Sequence, residues 1–176
     1  MSVKTNFTLV TVALPFLYIL YSFFQKDFVS LTNSALTLLY ILIFLFIYKK
    51  YAFFNGRLYY SSLIFILLSV FAGRTLNAYG YIPYWDKILH FFSGFIFVGV
   101  GKEIYQKLSS PVHSTWLSIL FPLFFAIAAA GLWEMWEFAG DSLFGLSAQN
   151  NSLNDTMLDM ILGSASALIS VIFSKE

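Results

Sequence analysis

Six apolar stretches, at roughly residues 7–24, 34–48, 58–78, 86–106, 115–138 and 155–173, occupy most of this 176-residue chain and leave few folds open to it. A helix needs about 20 mostly apolar residues to cross a bilayer, and each stretch approaches or reaches that length. Composition agrees, since 59% hydrophobic and 11% charged residues cannot give a soluble domain a polar surface. The fold class expected is an all-α membrane protein, a bundle of six transmembrane helices. Short connections, with no low-complexity tract and no fixed-period repeat, predict a single domain over residues 1–176. The first stretch is followed by Gln25, Lys26 and Asp27 rather than by a small-residue cleavage site, so it is expected to be retained as a helix.

Several chemistries are excluded early. The chain has no cysteine, hence no disulfide, thiolate metal site or cysteine nucleophile. Ten basic residues against nine acidic ones give no electrostatic footprint for nucleic acid. Basic residues favour cytoplasmic loops. Lys4, Lys49, Lys50, Arg57, Lys102, Lys107 and Lys175 fall on one side of a six-helix arrangement, and Lys26, Arg74 and Lys87 on the other. That asymmetry predicts cytoplasmic termini. Tyr48, Tyr51, Tyr59, Tyr60, Tyr79, Tyr81, Tyr84 and Trp85 then lie near helix ends, as an aromatic belt at the two interfaces would place them.

With this orientation the acidic residues gather. Asp86, Glu134, Glu137, Asp141, Asp155 and Asp159 all fall near the expected outer ends of the last three helices. Asp86 and His90 in "WDKILH" are four apart, Glu134 and Glu137 in "WEMWEF" three apart, and Asp155 and Asp159 in "NDTMLDM" four apart. Each pair therefore shares a helix face. Arg74, in "AGRTLNAYG", is expected at the same depth as a cation, with Asn77 nearby.

Bland explanations exist for each residue. Carboxylates at helix starts complement the macrodipole, which covers Asp86 and Asp155. Ser152 and Asp155 also read as a variant capping box. Glu137 and Asp141 can be merely interfacial, and Glu134 can pair with Arg74 or Lys87. Asp159 resists dismissal, because it lies about a turn inside an apolar helix, where an isolated carboxylate costs several kcal/mol unless protonated, paired or bound to a cation. Five carboxylates and an imidazole converging in a low dielectric repel one another unless positive charge compensates them. A divalent metal held by Asp86, His90, Glu134, Glu137, Asp155 and Asp159 would supply that charge. Oxygen-rich ligation with one imidazole suits Mg, Mn or Fe and also admits Zn. A proton or ion pathway and a purely structural polar network remain open beside it.

"WDKILHFFSGF", "WEMWEF" and "FGLSAQNNSLNDTMLDMILGSASAL" are similar to the YjdF-like family of small bacterial membrane proteins. That family carries an Asp-Lys/Arg-x-x-His-Phe segment, a Glu-x-x-Glu-Trp/Phe segment, and a Gln followed by Asp-x-x-x-Asp-Met. The likeness covers Trp85 to Leu168, with motif positions at Asp86, His90, Glu134, Glu137, Gln149, Asp155 and Asp159. Family members commonly read Gly-Asp after the Gln, where this chain has Asn150 and Asn151. A looser likeness to VanZ-like membrane proteins rests on the Asp-x-x-x-His segment and a late Asp-rich helix. The resemblance implies a multi-pass protein of the bacterial plasma membrane and supplies no activity.

Three functional classes follow. In the first, a metal near the extracytoplasmic face serves a hydrolase or transferase acting on a lipid-linked substrate. His90 would be ligand or general acid/base, with Glu134 also catalytic; Arg74 would clamp an anion, and Asn77 and Gln149 would line the site. In the second, the same acids load a cation or protons for a carrier or a substrate-binding transporter subunit. In the third, the cluster only fixes helix packing in a module that binds lipid or a partner. The inner halves, "FFSGFIFVGVG", "ILFPLFFAIAAAG" and "MILGSASALISVIF", carry no charge, which favours a one-sided site over a conduit. Their glycines and alanines read as close helix contacts.

Overall fold

The computed structural model describes residues 2–51, 55–108, 115–145, 147–150 and 152–173, so Asn151 and Lys175 lie outside the described residues. All regular structure among the described residues is helical, and six of the helices are long and apolar enough to cross a membrane. They are α1 (Val3–Gln25), α2 (Phe28–Tyr51), α3 (Gly56–Ile66, continuing as a π-helix over Leu67–Thr75), α5 (Trp85–Leu108), α6 (Thr115–Phe144) and α7 (Leu153–Phe173). A single turn, α4 (Ala78–Tyr81), precedes α5. The chain divides into two compact units, Met1–Trp85 and Asp86–Glu176. Apolar side chains such as Leu17, Phe24, Phe124, Leu132 and Ile172 stand exposed on the spanning helices, where they meet lipid.

Three of the boundaries that differ from those read by hydropathy have a local cause. α2 begins at Phe28, not near residue 34, because its polar first turns satisfy themselves. Asp27 Oδ1 accepts the Ser30 N–H at 3.0 Å, and the Thr32 and Thr37 hydroxyls each donate to the carbonyl four residues back at 2.8 Å. The hydrogen bonds from Ser30 hold the Asp27 carboxyl below its ordinary range. α6 continues past Phe138 to Phe144 and stops at Gly145, whose φ of 65° supplies the left-handed residue that ends many helices. The third span ends at Thr75, before Asn77, whose own φ of 58° breaks the helical path.

In the first unit Ile41, Tyr59 and Leu63 form the buried centre. Lys4 donates to Tyr48 OH, and its ammonium lies over the Tyr48 and Tyr59 rings, 4.1 and 4.3 Å from their centroids. Thr8 Oγ1 and Tyr59 OH share a hydrogen bond of 2.6 Å. α1 is thus tied to α2 and α3 at this end by one cation and several rings.

In the second unit Val98, Ala126 and Ala167 form the buried centre, one from each helix. Small residues let the three backbones approach. A methyl at Gly94 would overlap Ser166 Oγ and the Gly163 carbonyl oxygen, and one at Gly101 would stand 2.8 Å from Pro122 Cα. With no hydrophobic drive between helices in lipid, such close van der Waals packing holds the unit together.

Candidate functional site

The buried faces of the second unit lead to the charged residues. On α5 the positions Lys87, His90, Gly94, Val98, Gly101 and Tyr105 follow one another at steps of three or four, and all but Lys87 are buried. α6 buries Pro122, Ala126, Ala130 and Glu134 at steps of four, and α7 buries Asp159, Gly163, Ser166 and Ala167 one turn after Asp155. Each stripe is apolar or small along most of its length and ionisable at one end. Backbones that approach closely along the small residues therefore bring the ionisable ends together.

Lys87 is the hub. Its Nζ donates to Asp155 Oδ1 at 2.5 Å and Asp159 Oδ2 at 2.7 Å, and lies 3.5 Å from Asp86 Oδ2. On the other side of the same acids stands His90. Its Nε2 is 3.7 Å from Asp86 Oδ1, 3.8 Å from Glu134 Oε1 and 4.0 Å from Asp159 Oδ1. These separations are too long for direct hydrogen bonds. Glu134 Oε1 and Asp159 Oδ1 are consequently buried without a hydrogen-bond partner, on residues only 3% and 1% exposed. An unmet buried acceptor costs about 1–3 kcal/mol, more when charged, so two aimed at one imidazole nitrogen call for a cation or a proton between them.

The donor set fits a cation. Asp86, His90 and Asp159 each offer one atom, all within 4.8 Å of one another. Donors bound to one ion at 2.0–2.3 Å are spaced about 3–4.5 Å apart, so a small contraction of this triad suffices. Gln149 steadies the neighbouring acid, its Nε2 lying 3.2 Å from the Glu134 carbonyl oxygen and 3.4 Å from Glu134 Oε2. Asn150 Nδ2 donates to Asp155 Oδ2 at 2.8 Å, and the Asp155 N–H donates to Ser152 Oγ at 3.3 Å, the capping contact read from the spacing.

The remaining candidates have other places. Glu137 accepts from Trp133 Nε1 at 2.9 Å along its own helix and makes no ion pair among the described residues. Asp141 accepts the N–H groups of Ala148 and Gln149 at 2.7 and 3.0 Å, so it holds the α6–α7 connection. Arg74 and Asn77 are exposed and belong to the first unit. Arg74 makes no ion pair among the described residues, and its carbonyl oxygen accepts from Asn33 Nδ2 at 3.4 Å. Beside Glu134, a cleft of about 690 Å³ runs between α6 and α7. Asp141, Ser142, Gln149 and Thr156 give it polar lining, and Phe138 and Met160 give it apolar lining.

The family model for a predicted membrane protein, DUF2238, matches residues 7–175. The chain belongs to that family. An uncharacterised protein of Thermotoga maritima is 33% identical over 105 residues, which are 60% of this chain and 54% of the relative. The chain thus spans about half the length of the relative it matches. No solved structure matches it.

Lys87 is the residue missing from the candidate site set, where the sequence reading counted it as a charge for orientation and an alternative pairing partner for Glu134. A signal for it exists in the sequence. Lys87 continues the three-or-four spacing of His90, Gly94, Val98 and Gly101, which puts a lysine on the small-residue face and not on the lipid face.

Proposed function

We propose that this membrane protein binds a divalent cation through Asp86, His90 and Asp159, with Glu134 beside it. In this reading it acts as a metal-dependent hydrolase or transferase on a lipid-linked substrate. One observation carries the reading: the unpartnered oxygens of Glu134 and Asp159 and the facing oxygen of Asp86 all surround His90 Nε2 at 3.7–4.0 Å. A cation there would meet acceptors that nothing else meets. Mg, Mn, Fe and Zn all suit carboxylates with one imidazole. Such an ion polarises a phosphoryl or carbonyl oxygen and acidifies bound water. Glu134, steadied through Gln149 with its other oxygen unengaged, is the candidate general base.

The close packing of Gly94 against Gly163 and Ser166, and of Gly101 against Pro122, supports a site reached from one side and not a conduit through this unit. The excess of lysine and arginine away from this end supports a site toward the extracytoplasmic face of a bacterial plasma membrane, with cytoplasmic termini. The motif resemblance adds a YjdF-like affiliation within the same reading. The reading rests on residues of the second unit alone; Arg74 and Asn77 belong to the first.

The test is thermal unfolding of wild type and Asp159→Asn in chelator and in added Mn, Mg or Zn. A ligand at 100 times its Kd stabilises the folded state by about 2.7 kcal/mol, so at least one ion is expected to raise the wild-type Tm clearly and the variant's little or not at all. Equal wild-type Tm values in every condition, with no metal retained on purification, would remove the metal. Should the metal bind, a bacterial lipid extract incubated with wild type and with Glu134→Gln tests the enzyme. Lipid profiles unchanged by wild type would reduce the protein to a metal-binding membrane module.

A further inference from the structure

Two acids of the cluster are each shared between two partners. Asp86 turns Oδ2 to Lys87 Nζ at 3.5 Å and Oδ1 to His90 Nε2 at 3.7 Å. Asp159 turns Oδ2 to Lys87 Nζ at 2.7 Å and Oδ1 to His90 Nε2 at 4.0 Å. In two-metal centres, carboxylates bridge cations about 3.5–4 Å apart in this manner, one oxygen to each. Here one of the two positions is filled by an ammonium on a side chain. Around that ammonium stand three carboxylates, from Asp86, Asp155 and Asp159, a set sufficient by itself to hold a divalent ion.

We infer that Lys87 Nζ occupies the second cation position of a carboxylate-bridged pair, so that the centre takes one divalent ion and removal of the ammonium opens it to two. This rests on the metal reading above. The first position is marked independently by the unpartnered oxygens of Asp159 and Glu134, both buried and aimed at His90 Nε2. Charge balance agrees. Four carboxylates, from Asp86, Glu134, Asp155 and Asp159, face three positive charges when Lys87 is joined by one divalent ion. Two divalent ions without Lys87 would match them four to four.

A tethered ammonium also differs from a second ion in what it does for the site. It needs no supply from solution, so Asp155 and Asp159 stay aligned before any metal arrives. It carries three donors and no vacant coordination position, so it orients carboxylates without activating water.

The experiment measures metal stoichiometry. Wild type, Lys87→Ser, Lys87→Gln and Lys87→Arg are purified in Mn2+ and desalted, bound Mn per chain is determined by elemental analysis, and electron paramagnetic resonance distinguishes isolated from exchange-coupled ions. The expected result is about one Mn per chain with an isolated-ion spectrum for wild type and Lys87→Arg. Lys87→Ser and Lys87→Gln are expected to hold about two, with an exchange-coupled spectrum. About one Mn in all four proteins would overturn the inference and leave the metal reading standing. Loss of the bound ion from the neutral variants would also overturn it, since Lys87 would then be required to build the first position. Failure of both neutral variants to fold with Mn2+ present would overturn it as well, because an ion able to take the ammonium's place should restore the fold. Wild type holding none, under conditions that load a control metalloprotein, would overturn both readings.

Discussion

Gly94→Ala and Gly131→Ala make the same chemical change on neighbouring helices and are expected to shift stability in opposite directions. In both cases alanine gains about 1 kcal/mol of helix propensity over glycine. At Gly131 the new methyl would lie 3.7 Å from Met160 Cε, an ordinary van der Waals contact, so that gain is kept. At Gly94 the methyl would overlap Ser166 Oγ and the Gly163 carbonyl oxygen and stand 3.0 Å from the Ala167 nitrogen. Two of these three neighbours are backbone atoms that no rotamer change can move aside, so α5 and α7 must part by roughly an ångström. Overpacking of this kind costs about 1–3 kcal/mol. The separation also lengthens the pairs from Lys87 to Asp155 and Asp159, which cross the same two helices one to two turns away. Overpacking less the propensity gain leaves a loss of up to about 2 kcal/mol for Gly94→Ala, a fall in Tm of up to roughly 8 °C at the roughly 2–4 °C per kcal/mol typical of this chain length, and the lengthened ion pairs add to it. Gly131→Ala is expected to hold or slightly raise Tm. Ser166→Gly added to Gly94→Ala removes one overlap and leaves the carbonyl, so recovery should be partial. The assay is thermal unfolding in one detergent with helical circular dichroism as the signal. Gly94→Ala as stable as wild type, or Gly131→Ala equally damaged, would refute the claim that the α5–α7 distance is set at Gly94.

Two further outcomes test other parts of the molecule. Asp141→Ala removes the acceptors for two N–H groups, at about 1–3 kcal/mol of local stability, and should speed hydrogen exchange of the Ala148 and Gln149 amides roughly ten- to a hundredfold while leaving the α1–α2 amides unchanged. In the first unit, Lys4→Met keeps the aliphatic stem but loses the cation over Tyr48 and Tyr59, with an expected cost of about 0.5–2 kcal/mol in thermal unfolding that Lys4→Arg should largely avoid.

The membrane-spanning architecture was legible because hydropathy over a 20-residue run depends on the run itself. The misplaced boundaries arose where local hydrogen bonds outweighed composition. The start of α2 reads as polar, yet its threonine hydroxyls return to their own helix, and α6 reads as ending at the Glu134–Phe138 segment, yet stops only where Gly145 can turn left-handed. The π-helical segment Leu67–Thr75 left no trace in residue type, since it uses the same backbone groups with a different spacing.

The sequence by itself determined that Asp86 and His90, Glu134 and Glu137, and Asp155 and Asp159 lie toward one end of apolar helices, each pair sharing a face, because helical periodicity carries that information from residue to residue. Tertiary structure alone decided which acids meet. It gave Asp141 to the connection after α6 and the centre of the cluster to Lys87, while Glu137 accepts from Trp133 within its own helix. The physical reason is reach. A carboxylate's partner depends on the gap between helices, and that gap is set a turn or two away by Gly94, Gly163 and Ser166, whose packing brings a flexible lysine between two acids and leaves the opposite oxygens of Asp159 and Glu134 facing His90.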